Sequence, residues 1–232
     1  KMIKLRNMLI AVIAITSIAT AGHAGSFGVG VTGNMVSVSA SGTETPGDAA
    51  GTETDGSVTS ATAGNEVGFA SIYGEYSFGD SERLTLGIEH IPGTAEINRK
   101  TLSRTDASSG DYVAQDTGTL KANAEISGHT TFYAELGIAH GIYGKVGIAS
   151  VDINVKQTNA ASYGTYPDKT LDAVTLGIGY KGVLFGEHGI FKVEGFVTDY
   201  DSYKATSSGG NSNTISADLD VVGAKFAIGY KF

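Results

Sequence analysis

The sequence contains no cysteine and no tryptophan, and only 3 of its 232 residues are proline. Without cysteine the chain can have no disulfide framework, no thiolate zinc site and no cysteine nucleophile. The scarcity of proline and the lack of a collagen-like repeat, despite 33 glycines, argue against fibrous and proline-rich disordered classes. Basic residues are also few. Because 16 Lys and Arg stand against 24 Asp and Glu, for a net charge of −8, we expect no general affinity for nucleic acid.

Residues 1–24 have the organisation of a secretory signal peptide. Basic residues at positions 1, 4 and 6 precede an apolar run at 8–21 and a small-residue end, Gly22-His23-Ala24. The apolar run is too short for a membrane-spanning helix, which needs about 20 apolar residues. We expect cleavage after Ala24, with Ala21 as the alternative. Cleavage would leave an acidic domain, 25–232, with 13 basic and 24 acidic residues, a net charge of −11.

Beyond the leader, apolar residues recur with period two. The clearest segment has Val222, Ala224, Phe226, Ile228, Tyr230 and Phe232 on one face, and small residues with Lys225 and Lys231 on the other. A second such segment begins at Lys121 and places Glu125, His129, Tyr133 and Glu135 on the polar face. One face suits lipid and the other suits a narrow polar interior.

The alternation predicts eight strands, at 26–39, 67–78, 83–92, 120–138, 142–156, 171–183, 190–203 and 215–232. Short connections (79–82, 139–141, 184–189) alternate with long ones (40–66, 93–119, 157–170, 204–214). An even strand count with short turns at one end and long loops at the other is typical of outer-membrane barrels. The predicted fold is all-β, an eight-stranded antiparallel up-and-down transmembrane β-barrel.

Aromatic residues cluster near the short-turn ends of the predicted strands. Amphipathic rings concentrate at a membrane–water interface, so this set predicts a periplasmic girdle: Phe27, Tyr76, Phe78, Tyr180, Phe185, Phe191, Tyr230 and Phe232.

The leader, the eight segments and the ending Ala227-Ile228-Gly229-Tyr230-Lys231-Phe232 together resemble the small OmpA/OmpX/Opa-type outer-membrane barrels. The resemblance implies an outer-membrane location and contact with lipid and lipopolysaccharide. It also implies insertion by the barrel-assembly machinery, with Tyr230 and Phe232 as the assembly signal. It implies no cofactor.

The strand positions predicted to face the interior include charged residues of both signs: Glu75, Arg83, Glu89, Glu125, Glu135, Lys145, Lys192, Glu194 and Lys225. Opposite charges in a confined, low-dielectric interior should pair. We favour a polar plug over a narrow pore, because eight strands leave an interior just wide enough for side chains. The strand at 142–156 is the weak point, since its apolar parity switches near Ala149 and Ser150.

Other motifs favour structural interpretations. Two G-x-G-x-x-G matches, at 28–33 and 177–182, lack the following helix that dinucleotide binding requires, so their glycines more simply leave room in the lumen. His129 shares the inward parity with Glu125 and Tyr133, which predicts a hydrogen-bond network. No histidine after the leader is followed by serine two positions later, which disfavours similarity to lipid A deacylases.

On four predicted strands, aspartates occupy lipid-facing positions close to a long loop. They are Asp152, Asp172, Asp199, Asp201, Asp218 and Asp220. They should mark the upper edge of the apolar band. A sharper hypothesis is that Asp199, Asp201, Asp218 and Asp220 share calcium or magnesium with lipopolysaccharide phosphates, and a solvated rim is the favoured alternative. The acidic linker 41–65, with Glu44, predicts a mobile extracellular loop.

Three functions remain open at this point. The leading one is a non-enzymatic barrel that serves envelope integrity or surface contact. A narrow porin-like channel for ions or small solutes is the second, and a lipid-modifying enzyme is the third.

Overall fold

A computed structural model describes residues 25–45, 59–79, 81–96, 101–107, 115–158, 165–184, 186–208 and 213–232. The predicted signal peptide at 1–24, Phe185 of the predicted girdle and the centre of the acidic linker lie outside these residues. Within the described ranges, no helix is long and apolar enough to cross a membrane.

The described residues form one antiparallel sheet. Its strands are β1 (Gly25–Thr45), β2 (Thr59–Phe78), β3 (Leu84–His90), β4 (Thr94–Glu96), β5 (Thr101–Ala107), β6 (Gln115–Ala139), β7 (Ile142–Thr158), β8 (Lys169–Val183), β9 (Gly189–Tyr200), β10 (Tyr203–Thr206) and β11 (Thr214–Lys231). The sheet closes on itself because β1 pairs with β11, from Gly28 opposite Lys231 to Thr45 opposite Thr214.

The closed sheet is a ring of eight strand positions, called walls here because two of them consist of more than one short strand. The short strands β3, β4 and β5 follow one another along β6 and together make the third wall. Similarly, β9 and then β10 pair with β11 and make the seventh wall. Each wall runs antiparallel to its neighbours, so the predicted eight-stranded up-and-down barrel is confirmed. Closure pairs every strand of the membrane-level ring on both sides, while towards the long-loop end β4 and β5 pair only with β6 and β10 only with β11.

Short turns gather at one end of the barrel. His140 and Gly141 join β6 to β7 with φ values of 51° and 83°, the conformation of the two-residue turn that best matches strand twist. The end of β2 at Phe78 and the start of β3 at Leu84 lie at the same end, as do the end of β8 at Val183 and the start of β9 at Gly189. The opposite end carries the long connections, and there the strands run further than predicted. Glu44, expected in a mobile loop, lies in β1 and accepts hydrogen bonds from Tyr166 and Asn213.

A β-bulge in β6 reverses the facing of its residues. Ser127 pairs with Asp152 while Thr130 pairs with Ser150, so β6 contains one residue more than β7 between these pairs. Gly128 sits at the bulge with φ +64°, a conformation that glycine adopts at little cost. Beyond the bulge Ile126 faces inward, and Glu125 pairs with Asn154 on the outward parity. The prediction that Glu125 faces the lumen is therefore wrong.

The parity switch expected in β7 does not arise from a bulge, unlike the reversal in β6. The strand is regular, and its inward residues continue from Lys145 through Ala149 to Val151 and Ile153. What changes is the interior, which becomes apolar towards the long-loop end. There Val151 and Ile153 pack with Leu171, Tyr203 and Ala205 in a small hydrophobic core.

Candidate functional site

The outer surface of the barrel is an exposed apolar belt. Ile178 is 62% exposed, Val222 59% and Phe226 52%, and similar residues continue around the ring. From Val222 to Tyr230, strand rise and a tilt of about 40° give a belt height of roughly 20 Å. A surface of this extent would not be stable in water. The protein is therefore a transmembrane β-barrel of the outer-membrane type.

Aromatic rings line the short-turn end of this belt. This is where the girdle was predicted, for all of its members that lie in the described residues. Ring pairs stack, tilt or meet edge to face at centroid distances of 4.9–6.1 Å. The members in contact are Phe27, Tyr76, Phe78, Tyr180, Phe191, Tyr230 and Phe232. Phe232 also donates its backbone N–H to the carbonyl of Phe27 at 2.8 Å, which fixes the last ring against the first strand.

The aspartates lie at the opposite edge of the belt, on neighbouring strands. Asp199 stands directly opposite Asp220, and the backbone of Asp201 bonds to that of Asp172 at 2.8 Å. Asp218 accepts a hydrogen bond from Ser202 at 2.5 Å. Within the part of the chain that the structure describes, no group of three or more His, Asp or Glu is placed to hold a metal ion. Cation sharing with lipopolysaccharide stays a prediction.

Inside the barrel, seven charged residues form one buried group, called here the lumen cluster: Glu75, Glu89, Glu135, Glu194, Lys145, Lys192 and Lys225. All seven were predicted from inward parity. Two other predicted members lie elsewhere. Glu125 follows the bulge to the outward parity. Arg83 is exposed in the turn before β3, because the strand begins one residue later than predicted, at Leu84.

The lower layer of the lumen cluster is centred on Lys192. Its Nζ lies 2.5 Å from Glu75 Oε2, and 2.8 and 3.0 Å from the two carboxylate oxygens of Glu135. The hydroxyl of Tyr133 donates to the same Glu75 oxygen at 2.8 Å. Each of these side chains is less than 9% exposed. One ammonium group thus joins walls β2, β6 and β9 across the lumen.

The upper layer contains two lysines and two glutamates. Lys225 Nζ lies 2.7 Å from Glu89 Oε2 and 3.6 Å from Glu194 Oε1. Lys145 Nζ lies 3.4 Å from the same two atoms. Glu89 also accepts a hydrogen bond from Ser71 at 2.6 Å, and Glu194 accepts one from Tyr143 at 2.9 Å. Both carboxylates of the upper layer therefore have two ammonium partners and a hydroxyl donor, as buried charges require.

Three buried tyrosines, Tyr73, Tyr133 and Tyr143, fill the space around the lysines. Parity of charged residues alone does not reveal Tyr73 and Tyr143. Lys145 Nζ lies 4.1 Å from the ring centroid of Tyr133, and Lys192 Nζ lies 5.3–6.0 Å from all three rings. These distances allow cation–π attraction. The rings lie over inward glycines, where a Cβ would collide with them: Tyr73 over Gly30 and Gly229, Tyr133 over Gly87, and Tyr143 over Gly179. The available signal was an inward tyrosine on one strand and an inward glycine at the paired position of the next strand.

A smaller polar group closes the short-turn end. Glu82 Oε1 accepts hydrogen bonds from Lys231 Nζ at 2.8 Å and Ser26 Oγ at 2.7 Å. Lys181 Nζ lies 3.4 Å from the Glu82 carbonyl and from Thr85 Oγ1. Burial alone would raise the pKa of Glu82, but the hydrogen bonds from Lys231 and Ser26 and the charges of Lys231 and Lys181 outweigh it and lower the pKa. This carboxylate is ionised at neutral pH.

On the long-loop side of the lumen cluster, the barrel contains a partly open cavity of about 160 Å³. Glu89, Lys145 and Lys225 form its floor, and apolar side chains form much of its wall. His129 lies at its edge, where its Nε2 is 2.9 Å from the Tyr200 hydroxyl. The predicted network of His129 with Glu125 and Tyr133 is wrong, because Glu125 leaves the interior at the bulge and Tyr133 bonds to Glu75 instead.

No protein-family model matches the chain, and no curated protein matches it. Solved structures do align over most of its length. The outer membrane protein OprG from Pseudomonas aeruginosa is 15% identical, with 91% of this chain and 98% of that chain covered at a TM-score of 0.46. The outer membrane protein AlkL is 16% identical, covering 91% and 92% at 0.45. The Escherichia coli outer membrane protease OmpT is 9% identical, covering 92% and 100% at 0.45. The barrel assignment itself rests on the closed strand register and the apolar belt.

Proposed function

We propose that this protein is a non-enzymatic, non-conducting barrel of the outer membrane, which serves envelope integrity or surface contact. The observation that carries the proposal is the lumen cluster. It spans the interior with ion pairs on opposite walls, and six of its seven residues are less than 9% exposed. The apolar belt and the girdle support the outer-membrane location, and the predicted signal peptide at 1–24 agrees with it.

The free energy needed to break buried ion pairs favours a closed lumen. An ion that crosses the barrel must displace lysine–glutamate contacts in two successive layers, at Lys192 and then at Lys145 and Lys225. Separating one buried partner from another typically costs about 3–5 kcal/mol, and the tyrosine rings leave little space for the water that would offset this cost. At the short-turn end the group around Glu82 adds a further barrier.

The barrel surface supports two classes of partner. The belt and the aspartate rim fit a bilayer whose outer leaflet is lipopolysaccharide, with the carboxylates at the level of its charged groups. The alternating ending with Tyr230 and Phe232 fits recognition by the barrel-assembly machinery. On this proposal, the strands and loops at the long-connection end are the part that meets the cell's surroundings.

Conductance measurements separate this proposal from a narrow channel. We expect the purified protein to insert into planar bilayers without single-channel steps at neutral pH. A triple variant with Glu75, Glu135 and Lys192 all changed to Ala removes the lower layer while leaving the net charge of the interior one unit less negative, and it should leak more. Lys156→Ala, at an exposed position, is the matched control. Reproducible unitary steps in the wild-type protein would overturn the closed-barrel proposal in favour of the channel.

A further inference from the structure

The barrel wall is interrupted on one side, between β2 and β4. Backbone pairing of β2 with the third wall ends at Ile72 opposite His90, while β4 pairs only with β6. In the linker between β3 and β4, Pro92 has no N–H to donate to β2, and Gly93 turns the chain with φ +96°, a conformation that suits glycine. Within the described residues, β2 from Ser71 towards the long loop therefore has no backbone partner on this side. We call this interruption the side gap.

The cavity above the lumen cluster lies directly behind the side gap. Val67 and Phe69 border the cavity from β2, and Pro92 and Thr94 border it from the opposite bank. Pro92, Gly93 and Thr94 are exposed, and a Cβ built on Gly93 would meet no other atom within 4 Å. The cavity therefore opens through the side of the barrel, while the lumen cluster closes it below.

The side gap begins at the long-loop edge of the apolar belt. Ile72, at the lower end of the gap, is 53% exposed on the lipid-facing side. Met35, which pairs with Gly68 beside the gap, is 74% exposed. Because apolar residues continue to this level, a molecule dissolved in the lipid hydrocarbon reaches the gap without first entering water. Apolar molecules concentrate in hydrocarbon, so the outer leaflet is their source.

The floor of the cavity is charged but offers no unpaired charge to a ligand. The Glu89 carboxylate contacts the ammonium groups of both Lys145 and Lys225. An ionic ligand would have to break one of these buried pairs, which is unfavourable. An uncharged apolar molecule needs only the apolar part of the wall, which includes Ile126 and Val221. The cavity therefore favours uncharged ligands.

We propose that this cavity binds small, uncharged, apolar molecules, which enter from the outer leaflet through the side gap. The volume sets their size, since an apolar cavity of about 150 Å³ holds one benzene ring and this cavity measures about 160 Å³. A substituted benzene is therefore the simplest probe. The site lies above the lumen cluster, so its test and the conductance test can fail separately.

Fluorine NMR of fluorobenzene, with the protein in lipid nanodiscs, measures this binding directly. We expect a saturable bound fraction in wild type, and binding at least about tenfold weaker in Val221→Phe, because the larger side chain fills the cavity. Val222→Phe makes the same change at the adjacent lipid-facing position, which is 59% exposed, and should bind as wild type. Fluorobenzoate, which carries a charge on the same ring, should show no saturable binding.

Ile126→Phe fills the cavity from another strand and provides a second test should Val221→Phe fail to fold. Heat-dependent migration on gels reports the folded barrel for each variant. Absence of saturable binding in wild type, or equal binding in a folded, filled variant, would overturn the site. Saturable binding of fluorobenzoate would overturn the uncharged class of ligand.

Exchange rates test the entrance separately. Asn65 borders the cavity from β2 and is exposed, so Asn65→Trp should narrow the side gap and slow fluorobenzene exchange severalfold. Glu66→Trp places the same ring at the next, exposed position of the strand, on the outward parity, and should leave exchange unchanged. Exchange at the wild-type rate in Asn65→Trp, or equal slowing in both variants, would overturn entry through the side gap.

Discussion

Each buried lysine of the lumen cluster contacts two carboxylates, and this sharing explains why four glutamates are stable beside three lysines. Glu89 and Glu194 both lie within 3.6 Å of Lys145 and Lys225, while Glu75 and Glu135 share Lys192. Hydroxyl donors such as Tyr133 and Tyr143 complete the coordination. A single substitution therefore disturbs several neighbours at once, and effects inside the cluster should not be additive.

Glu82 offers a residue whose contribution depends on pH. Its pKa in the folded protein lies below the ordinary value of 4.5, so it binds a proton more readily in the unfolded chain. The stabilisation is fully present above pH 4.5 and is lost as the pH falls through the lower, folded-state pKa. We expect Glu82→Gln to melt below wild type at pH 7, and the difference to shrink towards zero under acid conditions.

Melting temperatures of the two proteins between pH 7 and pH 3 check this expectation. The Glu82 and Lys231 side chains are about 30% exposed, so the difference should be small and should decrease further in high salt. Glu187→Gln, at an exposed turn position of the same end, is the matched control. A melting difference that is constant over the whole pH range would contradict the assignment.

At the scale of strands, period-two alternation predicts the walls well inside the membrane and less well beyond it. Lipid selects apolar outward residues, so β8 and β11 are visible in the sequence almost to their ends. Above the belt the outward face is polar and the alternation is lost from the sequence, yet backbone pairing continues, as between Glu44 and Ile215. The linkers predicted at 40–66 and 93–119 therefore contain parts of β1, β2 and β6, together with β4 and β5.

The one-residue bulge in β6 explains why the facing of some residues could not be predicted from alternation. Alternation counted through Gly128 assigns Glu125 to the lumen and Ile126 to lipid, and the bulge exchanges them. The sequence contains a hint, because glycine within a strand often marks a bulge. Parity alone could not distinguish this glycine from those that make room for tyrosine rings, such as Gly87. The charged lumen residues below the bulge were predictable for the opposite reason, since their strands run without interruption.

The last strand closes the barrel, so its end is a test of assembly. Phe232 stacks on Phe27 at 6.1 Å and meets Tyr230 at 5.1 Å, and these contacts seal the junction between β1 and β11. We expect deletion of Phe232 to reduce the amount of heat-modifiable protein in the outer membrane severalfold. Tyr180→Ala, which removes a girdle ring on β8, a strand that pairs with neither β1 nor β11, should have a smaller effect. Equal membrane levels of the Phe232 deletion and wild type would argue against an assembly signal here.

For the molecule as a whole, the interior has three levels with different chemistry. A polar closure at Glu82 is followed by the two charged layers, and then by the cavity and the hydrophobic core around Val151 and Leu171. The outer surface is arranged along the same axis, from aromatic girdle to apolar belt to aspartate rim. The charged layers lie at the height of the belt. Their ion pairs connect strands across the lumen, an interaction that the surrounding lipid does not supply.

Lys192 tests whether these cross-lumen contacts hold the barrel together. Its removal leaves Glu75 and Glu135 buried without their ammonium partner, which typically costs about 3–5 kcal/mol. We therefore expect Lys192→Met to lower the free energy of unfolding in lipid vesicles by about this amount, as measured by urea titration. Adding Glu135→Gln removes one unpaired charge, so the double variant should be more stable than Lys192→Met alone. Lys156→Met, on an exposed side chain, should behave as wild type. If Lys192→Met unfolds at the wild-type urea concentration, or if Glu135→Gln destabilises it further, the lower layer does not stabilise the barrel through charge pairing.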